Sequence, residues 1–345
     1  MATATRTRKK SDFDLNQVVT DKLIEAIDNG NAPWQSPYLV RGLPMSMSTG
    51  RPYRGINPLL LIVEAQLHGY SSAWWGTYDQ IAERAGCVKT YDEETGFTNW
   101  QHPSGQPAGV RKGEKSTLVT FWKRYERVAK DESGAVIMEN GKPKMKKAAM
   151  LRYFRVFNAD QADWPSGVPT KFAASERAED FDPIDEADAI VLAYTSNGGP
   201  AMQHADQTVA WYAPEQDLVN VPNPENIRGN DEYYSATFHE LTHSTGHRER
   251  LAREGITDLA KHVRGKVYAF EELVAEFGSA MLCGQAGIHN TIDNSAAYLR
   301  GWAKYLTDDP KAAVRAASAA QRAVDLILGT TFDNEVEVEP EAVTV

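Results

Sequence analysis

Apolar residues recur at helical spacing through Leu15, Val18, Val19, Leu23, Ile24 and Ile27, and Asn29-Gly30 closes the run, which predicts an amphipathic helix over 12–29. A basic polar tail, 1–11, precedes it, and a loop rich in Pro, Gly and aromatics, 30–56, follows. Asn57-Pro58 opens a short apolar helix that ends near Gly69, and Trp74 to Thr77 leads into another from Tyr78 to Arg84. The pattern then changes: 117–128 (TLVTFWKRYERV) and 149–157 (AMLRYFRVF) carry the aromatic and branched residues of strands. Between them, Lys130 to Lys147 is polar and contains Asn140-Gly141, which predicts an exposed hairpin tip. Pro, Gly and Ser accumulate after Asn158 and the chain turns acidic, so a linker is placed at 166–182. Beyond it, a helix over 183–195, short strands near 207–212 and 218–221, helices around 230–245 and 268–277, and two final helices are expected. Asn294 starts the first of these two and Asp309-Pro310 the second, which ends before Gly329. The expected fold is α+β in two domains, 12–165 and a mainly helical 183–332, with an acidic tail over 333–345.

Composition adds one asymmetry. Residues 1–165 hold 23 Lys/Arg and 18 Asp/Glu, whereas the remaining residues hold 14 and 29, giving the chain its net charge of -10. A mildly basic half joined to an acidic half suggests separate tasks. The two cysteines, Cys87 and Cys283, form no CxxC pattern, which fits a reducing compartment. The first residues (MATATRTRKKSD) lack the apolar core of a secretory signal, and no apolar run approaches membrane-spanning length, so a cytoplasmic protein is expected.

The chemistry concentrates at His239-Glu240-Leu241-Thr242-His243, an HExxH string. On a helix, positions i and i+4 share a face, so both imidazoles reach one metal ion. Glu240 stands beside them as the expected general base toward a metal-bound water. Asn230 or Asp231 is the expected cap of that helix and Gly246 its stop. A third ligand is required. Glu272 and Glu276 share a face of the next helix and resemble the ExxA(D/E) pattern of gluzincin peptidases. That resemblance gives Glu272 to the metal and Glu276 the task of orienting a ligand histidine. Glu249 and His247 are rival ligands, but only Glu272 brings a second helix with a supporting carboxylate. Tyr268 or Tyr234 is the candidate oxyanion stabiliser. Zinc is the default ion for this donor set, and manganese or cobalt also suits it.

The N-terminal half holds 18 of the 33 aromatic residues, interleaved with cations. Single strands bind by stacking on aromatic rings in a positive groove. The candidate DNA-contacting residues are Trp34, Arg51, Tyr53, Arg54, Asn57, Trp75, Arg111, Lys112, Lys115, Trp122, Lys123, Arg124, Arg152, Tyr153 and Arg155. The modest positive charge argues against duplex binding driven by charge alone.

Several stretches resemble the ArdC family of plasmid and phage antirestriction proteins. In the N-terminal half they are Ala32-Pro33-Trp34, 49–57 (TGRPYRGIN), 110–115 (VRKGEK) and 154–158 (FRVFN). In the C-terminal half they are 239–247 (HELTHSTGH), Arg250-Leu251, 268–276 (YAFEELVAE) and Ala297-Tyr298 with Trp302. Ser244 departs from the pattern, standing where the family carries an aromatic, and 90–98 and 130–147 look like insertions. The resemblance implies a single-stranded-DNA-binding domain, a zincin-like metallopeptidase domain with a two-His, one-Glu metal site, and protection of incoming DNA from restriction. A protein substrate or a component of the restriction system is the further partner it implies. Two other readings compete. One is a cytoplasmic zinc protease whose N-terminal domain recognises protein. The other is a non-catalytic metal that stabilises the fold, with DNA binding as the whole function.

Overall fold

The structure, a computed structural model, describes residues 14–29, 43–91, 93, 96, 98–131, 133–165, 183–227, 229–258, 265–288 and 296–330. The chain divides into two compact units: residues 1–33, 44–175 and 299–313, and residues 34–43, 176–298 and 314–345. The linker expected at 166–182 lies outside the described residues, as do both tails.

The first unit opens with α1 (Leu15–Asp28), whose N-cap Asp14 accepts the Asn16 backbone N–H at 2.9 Å. Its apolar stripe, with Val19 and Leu23 fully buried, faces the core. Thr20 Oγ1 donates to the Pro310 carbonyl at 2.8 Å, one of the bonds that groups residues 299–313 with this unit. β1 (Met45–Ser46) precedes α2 (Asn57–His68), which Pro58 starts and the left-handed Gly69 ends. β2 (Trp74–Gly76) leads to α3 (Tyr78–Arg84), closed at its start by a reciprocal Thr77–Gln80 capping box. Next come β3 (Val88–Tyr91), β4 (Thr98–Gln101), β5 (Gly109–Val110) and β6 (Thr117–Val128). β7 (Met138–Glu139), β8 (Lys142–Pro143), β9 (Met145–Asn158) and β10 (Ala162–Asp163) complete the unit's strands.

The main sheet runs β1-β2-β9-β6, with β1 and β2 parallel and the other pairs antiparallel. Leu61 and Ala65 of α2 pack on Trp75, Val119 and Val156 of this sheet. β6 and β9 stay in register from Thr117↔Val156 to Val128↔Met145, forming one long hairpin. β9 therefore starts four residues earlier than expected. Met145 to Ala148 has no strand periodicity of its own, and pairing with β6 imposes the conformation. At the hairpin's end, Asn140 and Gly141 both take positive φ and join β7 to β8 in a tight turn.

The second unit begins with α4 (Pro183–Ser196). β11 (Ala201–Ala205), β12 (Trp211–Ala213) and β13 (Leu218–Pro222) form a sheet of order β11-β13-β12, with β11 parallel to β13. β11 reads AMQHA and was not expected from sequence, because it lacks branched alternation. α5 (Asn230–Ser244), the one-turn α6 (Glu254–Thr257) and α7 (Lys266–Ala286) follow. The chain's last two described helices are α8 (Ala296–Asp308) and α9 (Ala312–Ile327). The expected start of the first at Asn294 lies outside the described residues. α5 and α7 pack through Phe238, Leu241, Leu273 and Phe277, all fully buried. Their close approach depends on Gly278, where a Cβ would stand 2.5 Å from Thr242 Cγ2. Among the described residues, no helix is long and apolar enough to cross a membrane.

Candidate metal centre and nucleic-acid interface

α5 places His239 and His243 one turn apart, with their Nε2 atoms 3.1 Å from each other. α7 crosses this helix and brings Glu272 to both: Oε2 lies 3.8 Å from His239 Nε2 and Oε1 3.5 Å from His243 Nε2. Ligands about 2.0–2.2 Å from a tetrahedral ion stand about 3.3–3.6 Å from one another. The three separations bracket that edge length, so the donor set fits a divalent cation with shifts of a few tenths of an ångström. It is also the one group of three metal-ligating side chains found among the described residues. His247 and the exposed Glu249 stand outside it; the Glu249 backbone N–H donates to His247 Nδ1 at 3.4 Å.

The electrostatics of the group follow from its burial. Desolvation opposes the charged form of His239, but the Glu272 hydrogen bond and the charges of Glu276, Glu240 and Glu272 outweigh it and push the imidazole up to about 9. Desolvation likewise opposes ionisation of Glu272, yet His239, His243 and the Tyr268 hydroxyl hold the carboxyl down to about 2. Burial and the neighbouring Glu272 raise the Tyr268 phenol to about 12, so it is a hydrogen-bond donor at neutral pH. Glu240 is half-buried and its charge reaches both His239 and Tyr268. Tyr234 is withdrawn from this role: it is buried and its hydroxyl donates to Asp188 at 2.6 Å.

The carboxylate that reaches His243 from behind is Glu271. Its Oε1 lies 3.2 Å from His243 Nδ1, and it is 1% exposed. Glu276, assigned that task from sequence, is buried and acts on His239 through its charge. No hydrogen bond reaches His239 Nδ1 among the described residues. Glu271 sits inside an acidic run that reads as a solvated face, and only the crossing of α5 by α7 separates it from its neighbours. The helix ends where expected, with Thr245 as a right-handed C-cap directly before Gly246, and Gly246 also serves as a close-packing point, where a Cβ would meet Ile256 Cγ1 at 2.6 Å. Arg250 ties the end of the helix to the sheet by donating to the Ser244 carbonyl at 2.8 Å and pairing with Asp217.

The DNA candidates separate into several groups. Asn57 belongs to the core: its amide donates to the Thr120 carbonyl at 2.7 Å and its oxygen accepts the Thr120 N–H at 2.6 Å, which anchors α2 to β6. Trp75 is 1% exposed in the sheet core and offers no face for stacking. Arg111 spends its donors on Glu114 and on the carbonyls of Asp160 and Ala162. Tyr53 packs half-buried against the α2 cluster. Arg51, Lys112 and Lys115 are exposed and Arg54 is half-buried. Trp34 and the side chain of Arg124 lie outside the described residues.

The hairpin gathers the remainder. Trp122 is 52% exposed and Tyr153 42% exposed. Trp122 pairs with Leu151 and Tyr153 with Thr120, so the two rings are diagonal neighbours on one face. Arg155 shares that face by register, opposite Leu118. The other face carries Lys123 and Arg152. Tyr125, Val128, Met145 and Met150 extend the exposed apolar surface along the arm. Residues 117–158 hold ten Lys/Arg against four Asp/Glu, whereas the other residues of 1–165 hold thirteen against fourteen. The hairpin thus carries all of the net positive charge of that half.

Two histidines and a glutamate gathered by crossing helices, where they could hold one metal ion, in a chain of two compact units, are the features of a two-domain protein of the zincin-like class. A zincin-like metallopeptidase family matches residues 187–319, and the N-terminal domain of the anti-restriction factor ArdC matches residues 13–157. The crystal structure of the antirestriction protein ArdC from plasmid R388, metal-free, is 34% identical with a TM-score of 0.66, covering 91% of this chain and 97% of that one. Its Mn(II)-bound form is 33% identical with a TM-score of 0.63, covering 92% and 98%. The y4eC protein of Sinorhizobium fredii is 30% identical over 90% of this chain and 91% of its own length. A DNA primase TraC of Escherichia coli is 33% identical over 91% of this chain, but the match spans only 20% of the primase's length. The chain belongs to the ArdC antirestriction family.

Proposed function

We propose that this chain binds single-stranded DNA along the β6–β9 hairpin and so shields DNA entering a cell from restriction, working in the cytoplasm. The observation that carries the reading is the pairing of exposed Trp122 and Tyr153 on one face of an arm that holds the half's whole positive surplus. Aromatic faces stack on unpaired bases while the cations follow the phosphates. Paired bases offer no free face, so single strands are preferred over duplex. Fluorescence anisotropy of the full chain with labelled single-stranded and duplex DNA, at low and physiological salt, tests this. Salt-sensitive binding that favours the single strand supports the reading, and absence of binding to both refutes it.

His239, His243 and Glu272 would hold a divalent cation, zinc or manganese, and the second unit is a peptidase on this reading. The cation supplies Lewis acidity toward a peptide carbonyl and toward water. Glu240 takes a proton at its carboxylate from the attacking water and returns it to the leaving amine. Tyr268, kept protonated at neutral pH, offers its hydroxyl to the developing oxyanion. The second reading, a protease that recognises protein through its N-terminal unit, is separated by Glu240→Gln. Protection that survives this substitution belongs to strand binding, and protection that is lost belongs to hydrolysis.

A further inference from the structure

We propose that Glu271, clamped by Arg253, is the residue that orients His243 toward the cation and fixes which of its ring nitrogens is the ligand. Adjacent carboxylates on α7 grip opposite sides of one imidazole: Glu272 faces Nε2 at 3.5 Å and Glu271 faces Nδ1 at 3.2 Å. With the Nδ1–H donated to Glu271, the Nε2 lone pair would be the one left to hold an ion. Glu271 is itself held in place. Arg253 donates from Nε to Oε2 at 2.9 Å and from Nη2 to Oε1 at 2.6 Å. The same guanidinium donates to Thr245 Oγ1 at 2.6 Å and to the Thr242 carbonyl at 2.8 Å, at the end of the helix that carries His243. Arg253 therefore references the Glu271 carboxylate to the histidine's own backbone. Gly255 leaves room for the carboxylate, since a Cβ there would stand 2.6 Å from Glu271 Cβ.

A buried ion pair of this kind also serves as a plain structural tie, and the measurement must separate the two roles. Cobalt(II) is titrated into the full-length, chelator-stripped protein, reading its affinity and its visible absorption bands, with thermal unfolding of the metal-free protein as the parallel record. Glu271→Gln keeps the side chain's shape but loses the carboxylate. The expected result is a loss of cobalt affinity of roughly 10- to 100-fold, typical for the partner of a ligand histidine, together with altered absorption bands. Gly255→Ala keeps both members of the pair but displaces Glu271, and it should weaken cobalt binding in the same direction; it also serves if Glu271→Gln does not fold. The inference rests on the metal reading of the triad. A wild-type chain that takes up no cobalt overturns both. A wild-type chain that binds cobalt, with variants that bind equally well and show the same bands, overturns the role of Glu271 alone, even if their unfolding temperatures fall.

Discussion

Removing the two exposed rings of the hairpin should cost DNA affinity while leaving the fold intact. Trp122 and Tyr153 are 52% and 42% exposed, and substitutions at such surface positions usually change stability by no more than about 0.5 kcal/mol. For a chain of this size that moves the unfolding temperature by about 2 °C or less. A base stacked on an aromatic side chain contributes roughly 1–3 kcal/mol by alanine substitution. At about 1.4 kcal/mol per tenfold, each of Trp122→Ala and Tyr153→Ala should weaken single-strand binding by about 5- to 150-fold. The rings are diagonal neighbours, so their effects are coupled rather than additive, and the double variant should lose at least as much affinity as either single variant. The assay is anisotropy of a labelled oligonucleotide at fixed salt, with thermal unfolding run alongside. Lys146→Ala with Lys147→Ala, on the same arm, should instead lower the slope of log affinity against log salt by about 1.4, at about 0.7 for each phosphate of a single strand that is no longer neutralised. An aromatic double variant that unfolds normally and binds within twofold of wild type would refute the placement of the strand on this hairpin.

The other predictions concern the centre and its supports. His239→Ala, His243→Ala and Glu272→Ala should each lose stoichiometric metal by elemental analysis, whereas Glu240→Gln should keep it; a Glu272→Ala chain with an intact metal complement would send the third-ligand assignment elsewhere. Asn57→Ala leaves the buried N–H and carbonyl of Thr120 unpaired and should destabilise the chain by roughly 1–3 kcal/mol in urea unfolding, with DNA affinity of the folded fraction unchanged. Burial opposes ionisation of Asp217, but the Arg250 and Tyr212 hydrogen bonds outweigh it and hold its carboxyl below its ordinary 3.8. Its contribution to stability is therefore present above 3.8 and is lost as pH falls through the lower folded value. Wild-type unfolding temperature should thus drop more steeply than that of Asp217→Asn below that pH, and parallel curves would show that the pair contributes nothing.

Much of this architecture was legible because local chemistry and tertiary structure agree. Pro58 and Gly69 mark the ends of α2, Asn140-Gly141 marks a turn, and the i, i+4 spacing of His239 and His243 needs only a helix. What escaped was decided by packing. Trp75 and Trp122 are the same residue type, each on a strand, yet one is core and the other is surface, because α2 covers the sheet near Trp75 and nothing described covers the outer hairpin at Trp122. Asn57 looks like a polar DNA-binding residue until the strand that pairs with its amide is in place. Glu271 and Glu272 differ by one position on a helix, and only the angle at which α7 crosses α5 gives one to each side of His243. β11 has no strand signal of its own and exists through its pairing with β13.

Whether strand binding by the hairpin produces the protection is tested most directly by delivering single-stranded plasmid DNA into a restricting host. The host expresses the wild-type chain or the Trp122→Ala, Tyr153→Ala variant at equal levels. The wild-type chain should raise recovery of intact plasmid, and the variant should return it to the level of a host lacking the protein. Full protection by the variant would contradict the hairpin's role.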